Sequence, residues 1–156
     1  MKKFSAGEVV EMAIQTERLG KQFYTDMAGK FKDDKGLKKL FDDLAVKEER
    51  HQRIFEELKD GLGDEEPEGW TEAQPYFRAM VESEFFIGRS KSLPSMDSIR
   101  TVGDAVRFAI GFEKETLLYF VAMRSLVRDP APVNGIIDEE MSHIIWLNRF
   151  KESLAS

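Results

Sequence analysis

The chain contains no cysteine, which excludes disulfides, thiolate metal sites and iron–sulfur clusters. Histidine and carboxylate are left as its strong metal ligands. Histidine is scarce as well, with two in 156 residues. No apolar run reaches membrane-spanning length, so no membrane association is expected. Positive charge is not in excess: the net charge of −6 argues against a phosphate-binding surface, and nucleic acid is not an expected partner. Met1-Lys2-Lys3-Phe4-Ser5 leads to Glu8 and Glu11 rather than to an apolar stretch. No secretory signal is read there, and the expectation is a cytoplasmic location.

What is present is a chain with 42% hydrophobic and 33% charged residues, the balance of a globular protein long enough to bury a core. Residues 1–156 are read as one all-α domain. Its helices are expected over about 6–28, 35–60, 102–128 and 131–154, with one long connection over 61–101. Ser5-Ala6-Gly7-Glu8 has the form of a capping box, with Phe4 and Val9 placed as a hydrophobic staple. Gly29 is expected to stop the first helix and Asp34 to cap the second. In the connection, Asp64 to Glu68 is an acidic run with the composition of a solvated loop. Thr71 to Phe86 is apolar enough for a short helix packed along the bundle, with Pro75, Gly88 and Pro94 expected to interrupt it. Phe85-Phe86-Ile87 is expected to pack as core under the crossover, with a homodimer contact as the alternative.

Each long helix carries an apolar stripe broken at its middle by a polar residue. The stripes are Val10, Ala13, Glu17, Gly20, Tyr24, Met27; Leu37, Phe41, Leu44, Glu48, His51, Phe55, Leu58; Val102, Val106, Ala109, Glu113, Thr116, Phe120, Met123, Val127; and Val133, Ile136, Glu140, His143, Leu147, Phe150, Leu154. Spacings that alternate threes and fours mark one helix face turned toward other helices. Both histidines of the chain therefore stand in Glu-x-x-His motifs on buried faces, where glutamate and histidine project to the same side.

The chain also repeats. Aligning Ser5 with Thr101 pairs Gly7 with Gly103, Val10 with Val106, Ala13 with Ala109, Ile14 with Ile110 and Glu17 with Glu113, and Glu48-x-x-His51 recurs as Glu140-x-x-His143. Two related helical hairpins joined by the long connection can pack about a pseudo-twofold axis. The four polar positions then meet in one layer. Four buried carboxylates without compensation would cost several kcal/mol per ion, on the order of the effective penalty for burying charge, whereas two divalent cations cancel them. One glutamate from each of two helices and Glu-x-x-His from each of the other two is the ligand set of di-iron and di-manganese carboxylate bundles.

On these residues the chain resembles the ferritin-like superfamily, and within it the rubrerythrin-like di-metal proteins. The residues that carry the resemblance are Ala13-Ile14-x-x-Glu17-x-x-Gly20-x-x-Phe23-Tyr24, Phe41-x-x-Leu44-Ala45-x-x-Glu48-x-x-His51, Ala109-x-x-x-Glu113 and Glu140-x-x-His143. The resemblance implies a left-handed four-helix bundle with a crossover between its second and third helices. It makes Glu17 and Glu113 terminal ligands, Glu48 and Glu140 bridging ligands, and His51 and His143 one nitrogen ligand per metal. Tyr24 takes the place of a family tyrosine near the site, where the choice is between a core aromatic with a partnered hydroxyl and a redox or proton role. Well-known rubrerythrins carry a further carboxylate one turn beyond the third-helix glutamate, where this chain has Thr116, and a cysteine-built rubredoxin centre, which it lacks. Glu139, beside Glu140, is read as a solvated helix-face carboxylate, with a hydrogen bond to a ligand histidine as the alternative.

The implied function is a non-haem di-iron oxidoreductase holding two iron ions. It would reduce hydrogen peroxide or dioxygen with electrons from an external protein such as a rubredoxin. Manganese accepts the same ligand set, so a dimanganese catalase-like enzyme is one alternative, and an iron-binding, ferroxidase or storage protein is another.

Overall fold

The computed structural model describes residues 5–82 and 96–155, and its five α-helices are α1 (Ala6–Lys30), α2 (Lys35–Asp60), α3 (Trp70–Glu82), α4 (Val102–Met123) and α5 (Ala131–Leu154). Helices α1, α2, α4 and α5 form the bundle, and α3 lies in the crossover. α1 packs chiefly on α2, and α4 on α5. The fold is thus two hairpins laid together, as the internal repeat requires. Among the described residues no helix is long and apolar enough to cross a membrane.

Capping sets the starts of the repeated helices. Ser5 accepts from the Glu8 N–H at 3.1 Å while Glu8 accepts from the Ser5 N–H at 2.9 Å. Thr101 and Asp104 make the same reciprocal pair, at 3.0 Å each way. Each box satisfies two N–H groups that the helix leaves without an internal partner. Phe4, the other half of the expected staple, lies outside the described residues. Asp34 caps α2 by accepting from the Leu37 N–H at 3.0 Å.

The ends depart from expectation in three places. Gly29 does not stop α1, which runs on to Lys30 and closes when the Phe31 N–H reaches the Met27 carbonyl at 3.0 Å. The third bundle helix stops at Met123 and tightens into a 3₁₀ turn over Arg124–Leu126 rather than continuing to residue 128. That tightening winds Leu126 into the core, and Val127 is already extended ahead of the Asp129-Pro130 turn. The stripe expected to reach Leu154 ends sooner, since Leu154 is exposed beyond the last core layer.

In the crossover, Asp64, Glu65, Glu66 and Glu68 are exposed. Gly69, at φ +77, makes the left-handed step into α3. Pro75 sits inside α3 rather than breaking it. The bond it forfeits is to the carbonyl of Thr71, an exposed residue in the first turn where solvent can serve instead. α3 packs along α4: Phe77 meets Tyr119 edge-on at 5.2 Å, and the Tyr76 hydroxyl donates to the Leu118 carbonyl at 3.1 Å. Gly88, Pro94 and the segment Phe85-Phe86-Ile87 lie outside the described residues.

Two apolar clusters, one toward each end of the bundle, sandwich the polar layer. One gathers Val9, Val10, Phe55, Trp70, Phe77, Tyr119 and Phe120 with their neighbours, and the other Phe23, Tyr24, Leu37, Phe41, Leu44, Val106 and Leu147 with theirs. These clusters hold the four helices at a fixed spacing, and with them the carboxylates between.

Candidate metal centre

Each bundle helix delivers its stripe glutamate to the same level, and α2 and α5 add a histidine one turn on. Glu17, Glu48, His51, Glu113, Glu140 and His143 are all fully buried. They form two overlapping groups, Glu17, Glu48, His51, Glu140 and Glu48, Glu113, Glu140, His143, each offering ligand atoms within 4.8 Å of one another. Glu48 and Glu140 belong to both. The structure therefore brings together all six residues that the sequence marks, and Tyr24 joins them by donating its hydroxyl to Glu113 Oε1 at 2.5 Å.

Both imidazoles point Nδ1 inward. His51 Nδ1 lies 3.0 Å from Glu140 Oε1 and 3.7 Å from Glu17 Oε1. His143 Nδ1 lies 3.6 Å from Glu140 Oε2 and 3.7 Å from both Glu48 Oε1 and Glu113 Oε1. The rings are nearly parallel, with centroids 5.7 Å apart.

Burying this much charge has visible electrostatic consequences. Burial, reinforced by Glu17, Glu140 and Glu113, holds Glu48 well above the usual carboxylate range. Burial and then Glu140 push Glu113 up to about 8. Burial works in the same direction on Glu140, but Glu113 and the imidazoles of His143 and His51 around it outweigh burial and draw Glu140 well below the usual range. For the histidines burial opposes charge, yet Glu17 and Glu140 carry His51 up to about 9, and Glu113 and Glu140 carry His143 up to about 10. Burial and the charge of Glu113 raise the Tyr24 phenol well above its ordinary value. Protons thus take up in the metal-free protein the charge that cations would otherwise balance.

The donor set fits a pair of divalent cations. Both oxygens of Glu17 and of Glu48, Glu113 Oε2, Glu140 Oε2 and His143 Nδ1 are buried without a hydrogen-bond partner among the described residues. Native interiors rarely leave so many polar atoms unpaired in one place, and metal ions are what such a set of oxygens and nitrogens satisfies.

Three features of the site are not evident from the stripes. Glu139 is not simply solvated: its Oε2 lies 2.9 Å from His51 Nε2, and its Oε1 pairs with Arg50. The signal available was its position directly before the Glu-x-x-His motif, on the side facing α2. Gly20 is where Phe112 comes close, and a Cβ there would stand 3.0 Å from Phe112 Cε1 and 3.5 Å from Glu48 Oε2. Trp146 lies against His143, with ring centroids 5.4 Å apart. Thr116, in the place of the further carboxylate, is buried with its hydroxyl unpartnered among the described residues.

Comparison with known proteins gives two matches. The rubrerythrin family model matches residues 8–91. A crystal structure of a Thermotoga maritima protein, assigned as a ferritin-like diiron-carboxylate protein, superposes with a TM-score of 0.72 at 21% identity, covering 97% of each chain. No curated protein matches the chain. At that identity the structural match speaks for the ferritin-like fold.

Proposed function

The chain belongs to the rubrerythrin family, and from that premise we propose that the centre is a non-haem di-iron site reducing hydrogen peroxide or dioxygen with electrons from an external donor. The observation that carries this reading is the overlap of two four-residue ligand groups in Glu48 and Glu140. Shared carboxylates are what a pair of cations held side by side requires, and four carboxylates balance two divalent charges. Glu17 and His51 would complete one position, Glu113 and His143 the other. Iron held by these residues would supply the electrons for reducing a peroxide or dioxygen.

The chain's own residues do the rest. The walls above and below the layer, among them Phe23, Tyr24, Phe112 and Phe120, are buried and exclude bulk water. Tyr24 donates its hydroxyl to Glu113 Oε1 and fixes that carboxylate's orientation. The raised positions of Glu113, His51 and His143 give the layer groups that take protons when cation charge is lost. Electrons come from outside this chain, which has no cysteine for a rubredoxin-type centre.

Metal analysis of protein purified without added metal, followed by peroxide consumption with and without a rubredoxin-like donor, tests the reading. Two irons per chain and donor-dependent turnover are expected, with both lost on His51→Ala or His143→Ala. Donor-independent peroxide disproportionation by a manganese-loaded protein would favour the catalase-like alternative. Iron uptake far beyond two per chain would favour storage.

A further inference from the structure

The two halves of the centre keep the repeat in their ligands and break it in what surrounds those ligands. His51 turns Nδ1 inward and presents Nε2 to Glu139 Oε2 at 2.9 Å. Glu139 is fixed in turn through its other oxygen by Arg50, so a carboxylate only 31% exposed is clamped between a guanidinium and the imidazole. His143 also turns Nδ1 inward, but its Nε2 is buried with no hydrogen-bond partner among the described residues.

The cause is legible residue by residue. Glu140 is preceded by Glu139, whereas Glu48 is preceded by Lys47; His51 is preceded by Arg50, whereas His143 is preceded by Ser142. An ammonium group has donors only and cannot accept from an imidazole N–H. Ser142 offers no cation to hold a carboxylate and donates instead to the Asp138 carbonyl at 3.3 Å. Both members of the supporting pair are thus replaced together in the second half. A ligand imidazole whose remote N–H rests on a carboxylate is held in one tautomer and one orientation and is the more basic donor.

We propose that the two metal positions are inequivalent, that the Glu17, Glu48, His51, Glu140 position takes the first divalent cation, and that Glu139 is the positioning residue responsible. The inference rests on reading the six residues as a two-metal centre. Zn²⁺ alone, added to the metal-free full-length chain, tests it, with binding followed by calorimetry and by the imidazole resonances. Two equivalents are expected to bind in two steps, His51 responding in the first and His143 in the second. Glu139→Ala should weaken the first step by about 10- to 100-fold, the range for losing such a partner, and leave the second nearly unchanged. It should also abolish a solvent-protected His51 Nε2–H resonance. Lys47→Glu should strengthen the second step and narrow the gap. Two equal steps, His143 responding first, or a Glu139→Ala variant weakened alike in both steps would overturn the inequivalence alone. Failure to bind two equivalents would overturn the two-metal centre and this inference with it.

Discussion

At the residue scale, the phenol of Tyr24 gives Glu113 a donor at 2.5 Å in a fully buried layer. Tyr24→Phe keeps the ring and its edge contacts with Phe23 and Phe41 but leaves that oxygen without its donor. The expected cost is about 1–3 kcal/mol, the penalty for orphaning a buried polar group, measured by denaturant unfolding of the metal-free protein. Gly20 poses a different question, because alanine there has two opposed effects. Helix propensity favours alanine by about 1 kcal/mol. The new Cβ would meet the buried ring of Phe112 at 3.0 and 3.1 Å, and overpacking of that kind costs about 1–3 kcal/mol. Overpacking is expected to win because Phe112 is itself buried in the bundle. Gly20→Ala should lower the melting temperature and, by crowding Glu48, reduce metal bound per chain.

At the element scale, the two capping boxes are local determinants, and both begin helices that carry a glutamate of the buried layer. Ser5→Ala and Thr101→Ala should each cost about 1 kcal/mol, the usual value of a lost cap, as read from equilibrium unfolding. Because the boxes lie some three turns from Glu17 and Glu113, roughly 18 Å along the axis at 1.5 Å per residue, metal stoichiometry should not change. Helix starts were readable because a cap is a contact between near neighbours in sequence. Helix ends were harder: Gly29 was a local stop signal that the longer helix overrode, and the 3₁₀ turn after Met123 depends on where the core accepts Leu126.

At the scale of the whole molecule, charge and fold are linked through the buried layer. Glu113, His51 and His143 have folded-state values of about 8, 9 and 10, against ordinary values of 4.5 for the carboxyl and 6.5 for the imidazoles. The folded metal-free protein therefore binds more protons than the unfolded chain, so its stability falls as pH rises. These contributions are fully present below the ordinary values and are lost as pH climbs through the folded ones. Glu140, displaced downward, acts oppositely and loses its contribution only in strong acid. Thermal melts of the metal-free protein should thus be highest in mildly acidic solution and decline steadily toward about pH 10. Metal binding needs the ligands deprotonated, so stabilisation by metal should grow over the same interval. Glu48→Gln, at the carboxylate that burial and its neighbouring carboxylates hold well above the usual range, should stabilise the metal-free protein above neutral pH while weakening metal binding. An unchanged metal-free melt would count against charge repulsion as the dominant strain in the layer.

The sequence by itself determined the four stripes, the positions of Glu17, Glu48, His51, Glu113, Glu140 and His143 on them, and the repeat that makes them meet. Those are periodic or local properties, and a helix converts spacing directly into a face. Only the tertiary structure decided which oxygen of Glu113 receives the Tyr24 hydroxyl, that Phe112 closes on Gly20, and that Glu139 reaches across from α5 to His51 on α2 with Arg50 behind it. Each of these joins residues on different helices, about 90 positions apart in the chain. No spacing rule covers such pairs, because the distance between two side chains on separate helices is set by how the bundle packs and not by their order in the chain.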